Sequence, residues 1–350
     1  MKQRDFGLEL ARGTAGVLVL AVHFFLNSGF YQQPMTGWCM LVSVMVRMAC
    51  MTCVPLYMLL TGYLCVNRGW SAGYYRKLMP VLLTYLLAGL ACMVFRIVWM
   101  EQQFSWRSFL RSFTDFSAAP YAWYIEMYIG LFLLSPFFNA AWHALDEKGR
   151  MALTATLIVL TSVSPVLNSF TALWPDWCEN IYPLTYYAVG AWLRERPIRA
   201  KRRWLLLGWA GTAALAGLWS WAACRGEPFV WSGAFNWQSP FFLLQAVLLF
   251  SALRQGGEHV PAPVRWCVSR VAKLSLGMYL VSYIADQLIY PLLETLCPIA
   301  YRRIFWMLPT VAAVVLCSCL LAQPIDWAVE GIMKLLPAGK TGRVHRTEES

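Results

Sequence analysis

Residues 10–30 read LARGTAGVLVLAVHFFLNSGF, an apolar stretch whose only ionisable side chains are those of Arg12 and His23. A helix needs about 20 apolar residues to cross the hydrocarbon core of a bilayer, so this stretch predicts one transmembrane span. It contains no small-residue cleavage site of the A-x-A kind, which favours a retained helix over a cleaved signal peptide. We therefore expect lipid to be the main solvent of this region.

Nine further apolar runs follow along the chain, separated by loops that contain Pro, Gly and charged residues. Apolar residues make up 59% of the 350 positions and charged residues 13%, and the mean hydropathy is +0.50. Since a soluble domain carries about 25% charged residues, we expect an all-α polytopic membrane protein of about ten transmembrane helices. We assign residues 1–335 to one integral membrane domain and residues 336–350 to a cytoplasmic tail. The ten runs lie at about 10–30, 39–65, 78–100, 121–142, 151–168, 179–193, 204–223, 237–253, 271–293 and 304–328.

Lys and Arg are distributed unevenly between alternate loops. If the N-terminus is inside, the inside segments hold 21 of the 29 basic residues and the outside loops hold five. Positive residues stay on the cytoplasmic side of a membrane, so we predict that both termini are cytoplasmic, with 194–203 inside and 170–178 outside. The net charge of +11 then reflects this loop bias and indicates no nucleic-acid partner.

Cysteine and aromatic residues suggest few specific sites by themselves. Eleven cysteines are scattered without metal-ligand spacing, so we predict neither disulfides nor a metal site. The outside loops carry aromatic pairs at Trp174 and Trp177, at 229–231 and at 235–237. Two interpretations stay open for them, an interfacial belt or a surface on which a sugar or lipid-linked acceptor stacks.

Arg12 and His23 are predicted to lie on one face of the first helix. They are eleven positions apart, and eleven steps of about 100° make three turns plus roughly 20°. The rise of about 16 Å places Arg12 near the cytoplasmic end and His23 past the midplane. A guanidinium binds phosphate, and an imidazole titrates near neutral pH. In one interpretation, Arg12 binds a phosphate and His23 transfers a proton deeper in the membrane. In the other, Arg12 is a snorkelling cation at the helix end and His23 is a structural core histidine.

Glu126 and Asp286 are carboxylates well inside predicted spans. Inserting such a group costs about 2.5–3.5 kcal/mol, so each is a candidate functional residue. Glu126, the only carboxylate of the fourth span, either orients His23 and raises its basicity or forms a structural ion pair with a buried cation such as Arg47. Asp286 in the ninth span allows the same two interpretations.

Four motif-like stretches occur in order along the first 140 residues: the Arg-to-His run 8–23, VPLYMLLTGY at 54–63, YRKLMP at 75–80 and AWYIEMYIGLFLLSP at 122–136. Together they resemble motifs of the acyltransferase-3 family of integral membrane acyltransferases. The nearest subgroup contains enterobacterial-common-antigen-type O-acetyltransferases and the membrane domains of vancomycin-resistance serine racemases. A later stretch, 275–282, is similar to the family's Ile-Tyr-Leu-Ile-His ending, but Ser282 stands in the His position.

The resemblance implies an enzyme of the bacterial inner membrane that transfers an acyl group, most often acetyl, from cytoplasmic acyl-CoA. The acceptor would be a hydroxyl of an extracytoplasmic glycan or lipid-linked cell-envelope molecule, with acetyl-CoA as the donor substrate and no metal. The alternative function is a membrane transporter of a small polar solute such as an amino acid. The implied site consists of His23 and Glu126 as catalytic residues, Arg12, Arg76 and Lys77 as coenzyme A ligands, and Tyr124, Ser282 and Arg47 as substrate or oxyanion contacts.

Overall fold

The computed structural model describes residues 5–71, 73–168, 170–171, 176–231, 233–256 and 260–336. The predictions made for Trp174 and for the tail beyond residue 336 concern positions outside this part of the chain. Within it, the backbone is helical throughout apart from its connecting loops, and the one strand-like pairing is an isolated bridge between Pro34 and Pro228.

Thirteen α-helices occur among the described residues, and they confirm the predicted all-α class. Eight helical segments are long and apolar enough to cross a membrane. The other two predicted spans coincide with the shorter helices Tyr182–Glu195 and Pro240–Arg254, so the count of about ten agrees with the structure. The helices are α1 Phe6–Asn27, α2 Gly37–Cys50, α3 Cys53–Cys65, α4 Met79–Val98, α5 Trp106–Thr114, α6 Trp123–Ala144, α7 Glu147–Ile158, α8 Ser164–Leu167, α9 Tyr182–Glu195, α10 Arg202–Cys224, α11 Pro240–Arg254, α12 Ala262–Leu296 and α13 Met307–Leu335.

The outer surface of the bundle is apolar, as expected for lipid contact. On α4, the exposed side chains of Leu86, Leu90, Val94 and Val98 recur every fourth residue. This spacing places them on one stripe of the helix. Because the opposite side of α4 carries the fully buried Ala88 and Cys92, the helix has one lipid-facing side and one core-facing side.

The predicted second span, 39–65, contains two helices rather than one. α2 ends at Cys50 and α3 begins at Cys53. Pro55 lies in the first turn of α3, where its missing N–H removes the hydrogen bond that would continue the ladder back to Met51. Pro55 therefore accounts for the break between α2 and α3, which the hydropathy pattern alone does not predict.

Two glycines bring α3 and α9 into close contact. A methyl group added at Gly62 would lie 2.0 Å from the carbonyl oxygen of Tyr187, and one added at Gly190 would lie 2.0 Å from that of Leu59. Small residues of this kind let membrane helices approach each other closely. We call this contact between α3 and α9 the glycine seam. It fixes the position of α3, which forms part of the wall of the cavity described below.

The centre of the bundle is α1, which packs against α2, α3, α11, α12 and α13. Its N-terminus is capped by Asp5, whose carboxylate accepts a hydrogen bond from the backbone N–H of Leu8 and also pairs with Arg254 of α11. The position of α1 follows from its sequence, since Ala, Gly and Val on its buried sides allow close neighbours. Arg12 and His23 of α1 both line the cavity described below.

Candidate active site

A cavity of about 620 Å³ lies beside α1, and both Arg12 and His23 line it. Side chains of α3, α4, α6, α12 and the connecting segments form the rest of its walls. We call one extremity of the cavity the basic end, formed by Arg12, Arg68 and Lys273, and the other the aromatic end, formed by Tyr31, Trp231 and Trp237. His23 lies between them, about 16 Å along α1 from Arg12.

His23 is almost fully buried, with 6% of its surface exposed. Its Nδ1 atom lies 3.3 Å from the hydroxyl oxygen of Ser282. That hydroxyl donates its own proton to the carbonyl oxygen of Tyr279 at 2.9 Å, so its oxygen is left to accept a hydrogen bond from Nδ1. With Nδ1 turned toward α12, Nε2 is the nitrogen that remains for a substrate in the cavity.

A second partner of His23 is Asp286, also on α12. Its Oδ2 atom lies 3.8 Å from Nδ1 of His23. The same oxygen accepts hydrogen bonds from the Tyr121 hydroxyl at 3.0 Å and from the Asn27 amide at 3.2 Å. Asn27 also donates to the carbonyl oxygen of His23 at 2.9 Å, and the Tyr121 ring centroid lies 4.0 Å from that of His23. Asp286 lies beside Nδ1 of His23 and leaves Nε2 free. An imidazole oriented in this way can act as a base.

Glu126 does not take the predicted position beside His23. Its side chain is exposed, and no hydrogen bond or ion pair joins it to His23 in the described structure. α6 turns Tyr124 and Tyr128 into the cavity, and Glu126 lies about 200° around the helix from each of them. The carboxylate that reaches His23 is therefore Asp286, the other carboxylate predicted from the sequence as a candidate.

The basic end holds two cations that are available to a ligand. The side chains of Arg12 and Arg68 are exposed, and neither makes a hydrogen bond or ion pair with the described residues. Lys273 differs, because its ammonium pairs with Asp326 at 2.6 Å and with Glu330 at 2.8 Å on α13. A cavity wall with unpaired guanidinium groups can bind phosphate through charge-assisted hydrogen bonds.

Arg76 and Lys77, predicted as coenzyme A ligands, lie outside the cavity lining. The Arg76 guanidinium donates to the carbonyl oxygen of Leu336 at 3.1 Å. The Lys77 ammonium lies 5.7 Å from the centroid of the Tyr74 ring. Arg68, eight positions before Arg76, is instead the loop cation that reaches the cavity.

The three tentative substrate contacts separate in the structure. Tyr124 lines the cavity, with its ring centroid 5.9 Å from that of Tyr57. Ser282 is fully buried behind His23 and contacts its Nδ1 atom rather than the cavity. Arg47 is also fully buried and does not line the cavity.

Sequence reasoning missed three residues of this arrangement. Asn27 stands four positions after His23, so helical spacing already places both on one face. Tyr121 immediately precedes the fourth-span motif, and nothing in its sequence context indicates a contact with Asp286. Arg68 was counted only among the inside loop cations, since its approach to Arg12 depends on how α3 packs against α1.

The chain was compared with protein families, with curated proteins and with solved structures. A family model described as an acyltransferase domain, that of the acyltransferase-3 family, matches residues 5–323. No curated protein and no solved structure matches the chain. The matched range includes α1–α12 and the first part of α13, and it contains the cavity with both of its ends. The chain therefore belongs to the acyltransferase-3 family, and it is a multi-pass membrane acyltransferase.

Proposed function

We propose that this acyltransferase takes an acetyl group from acetyl-CoA and transfers it to a hydroxyl of an extracytoplasmic glycan or other cell-envelope acceptor. The observation that carries the proposal is one cavity with unpaired arginines at its basic end and the carboxylate-backed His23 farther along. The motif resemblance to enterobacterial-common-antigen-type O-acetyltransferases supports the choice of acetyl group and acceptor.

Coenzyme A would bind with its phosphates at the basic end. Arg12 and Arg68 supply two guanidinium groups there, and neither has to give up a protein partner to bind a phosphate. The pantetheine arm would follow α1 along apolar wall residues such as Val19 and Leu60. It would then bring the thioester close to His23.

The transfer step uses His23 as general base. Nε2 takes the proton of the acceptor hydroxyl while that oxygen bonds to the thioester carbonyl carbon. The carbon–sulfur bond then breaks, and the departing sulfur takes the proton back from Nε2. Asp286 would stabilise the imidazolium formed in between, and the Tyr124 hydroxyl on the cavity wall would donate to the thioester oxygen.

The proposed orientation places the basic end toward the cytoplasm of a bacterial cell, with the protein in the inner membrane and both termini inside. The distribution of 21 inside against five outside basic residues supports it. Single cysteines are introduced at 194–203 and at 176–177 in a variant whose exposed and partly exposed native cysteines, Cys178 among them, are replaced. An impermeant thiol reagent should then react in intact cells only at 176–177. External labelling of 194–203 would contradict the orientation.

The direct test of the activity uses the full chain purified into lipid nanodiscs. Titration calorimetry should show saturable binding of acetyl-CoA, and radiolabelled acetyl groups should pass to a cell-envelope fraction only when His23 is present. A folded protein that does not bind acetyl-CoA would contradict the proposal and favour the transporter alternative.

A further inference from the structure

The aromatic end of the cavity is built from stacked rings. Tyr31 and Trp231 lie with their ring centroids 5.4 Å apart and their planes within 24° of parallel. Trp237 stacks on Trp123 at 4.7 Å. All four side chains line the cavity, so this end offers ring faces where the basic end offers cations.

Arg47 of α2 lies behind this wall and holds it together. The centre of its guanidinium lies 4.2 Å from the Phe229 ring centroid and 4.5 Å from that of Trp231. Its Nε atom donates to the Tyr31 hydroxyl at 2.8 Å. No carboxylate among the described residues pairs with it, and its buried Nη2 atom has no hydrogen-bond partner there. A buried cation without a counterion is costly to maintain, which favours a functional role for Arg47.

The contact with Arg47 fixes the role of the Tyr31 hydroxyl. Since the oxygen accepts a hydrogen bond from a cation, its own proton must be donated elsewhere. None of the described residues accepts that proton, and Tyr31 lines the cavity. A donor polarised by a neighbouring charge forms a stronger hydrogen bond than an isolated one. Tyr31 is thus a preformed hydrogen-bond donor for a molecule at the aromatic end.

We propose that Arg47 is a positioning residue of an acceptor subsite at the aromatic end. It holds Tyr31 and Trp231 as one wall and directs the Tyr31 hydroxyl to an oxygen of a carbohydrate ring, whose apolar face stacks on the exposed aromatic rings. Arg47 itself does not touch the acceptor, in contrast to the substrate contact expected from the sequence. The inference rests on the proposed function, because it takes the acceptor to be a glycan.

The test measures binding of methyl β-D-glucopyranoside to the full chain in nanodiscs by saturation-transfer NMR. Tyr31→Phe removes only the donor, and Arg47→Met removes the charge at similar volume. Each should weaken pyranoside binding roughly three- to tenfold. Because Arg47 acts through both Tyr31 and Trp231, the double variant should bind no more weakly than Arg47→Met alone. Effects that add in the double variant, or a Tyr31→Phe protein that binds as tightly as the wild type, would overturn the inference.

The ring faces are tested with a matched pair of tryptophans. Trp231→Ala should lose the saturation transfer to the pyranoside ring protons. Trp38→Ala should not, because Trp38 packs on Phe305 away from the cavity lining. Equal losses in the two variants would count against the subsite.

Acetyl-CoA titrations on the same preparations separate this inference from the proposed function. All these variants should bind acetyl-CoA as the wild type does, which also shows that they are folded. If the wild type binds acetyl-CoA and the Tyr31 and Trp231 variants leave pyranoside binding unchanged, the inferred acceptor subsite is wrong. The proposed binding of acetyl-CoA is then unaffected. If the wild type does not bind acetyl-CoA, the proposed function fails whatever the pyranoside result.

Discussion

The basic end and the aromatic end of the cavity each depend on an arginine, and the protein uses the two side chains in opposite ways. Arg12 is exposed in the cavity without a hydrogen bond or ion pair to the described residues, whereas Arg47 is fully buried between the rings of Phe229 and Trp231. A guanidinium left open to a cavity can bind an anion directly. One enclosed by aromatic rings acts only through its neighbours. If the proposed function holds, the donor site would gain its binding groups from unpaired charge and the acceptor site from a rigid aromatic wall.

The largest expected effect lies between the two ends, at His23. His23→Ala should lower acyl transfer by about 10²–10⁴-fold, since the general base is lost, while acetyl-CoA binding at the basic end persists. Radiolabel transfer and calorimetry on the same protein measure both. His143→Ala is the matched control, because that imidazole is exposed and lies outside the cavity lining. Transfer near wild-type rates in His23→Ala would refute the mechanism.

A smaller loss is expected when the carboxylate behind His23 is neutralised. Asp286→Asn keeps the shape of the side chain but removes the charge proposed to stabilise the imidazolium, so transfer should fall, by less than in His23→Ala. Glu126→Gln, on the opposite side of α6 from the cavity, should change the rate less than twofold. If the Glu126 variant lost more activity than the Asp286 variant, the original sequence interpretation would be restored.

Replacing Arg12 should weaken acetyl-CoA binding more than it weakens acceptor binding. Arg12→Ala removes a charge-assisted contact, so the Kd of acetyl-CoA should rise by about tenfold. Arg76→Ala should leave the Kd nearly unchanged, because Arg76 donates to Leu336 outside the cavity lining. Titration calorimetry of the two variants distinguishes the structural assignment from the sequence-based one. A larger effect at Arg76 would contradict the basic end as defined here.

The last prediction concerns the glycine seam that holds the cavity wall in place. Gly62→Ala should destabilise the protein by about 1–3 kcal/mol, since the new methyl group collides with the backbone at Tyr187. Gly130→Ala is the control, because a methyl group there meets nothing within 4 Å. Thermal unfolding in nanodiscs should show a lower midpoint for the first variant only. Equal midpoints would show that α3 and α9 are less closely packed than the structure indicates.

Some of this arrangement could be predicted from the sequence because it depends on local rules. The eleven-residue spacing places Arg12 and His23 on one face of any straight α-helix, and the structure brings both to one cavity. Run lengths and hydropathy likewise predict the spans. These properties belong to single helices and do not require knowledge of their neighbours.

The choice between Glu126 and Asp286 could not be made in that way. Each is a carboxylate in an apolar helix, and an almost uniformly apolar helix gives no sign of which side faces lipid and which faces the protein. The same holds for loop cations, since whether Arg68 or Arg76 reaches Arg12 depends on the packing of α3 against α1. Residues that act across helices are therefore revealed only by tertiary structure.

The central claim is that acetyl-CoA occupies the cavity with its phosphates at the basic end and its thioester at His23. The most direct measurement is a cryo-electron-microscopy structure of the His23→Ala protein in nanodiscs with saturating acetyl-CoA. The account predicts phosphate density within hydrogen-bonding distance of Arg12 and Arg68, with the thioester beside position 23. Coenzyme A density outside this cavity, or phosphates bound at Arg76 and Lys77 instead, would contradict it.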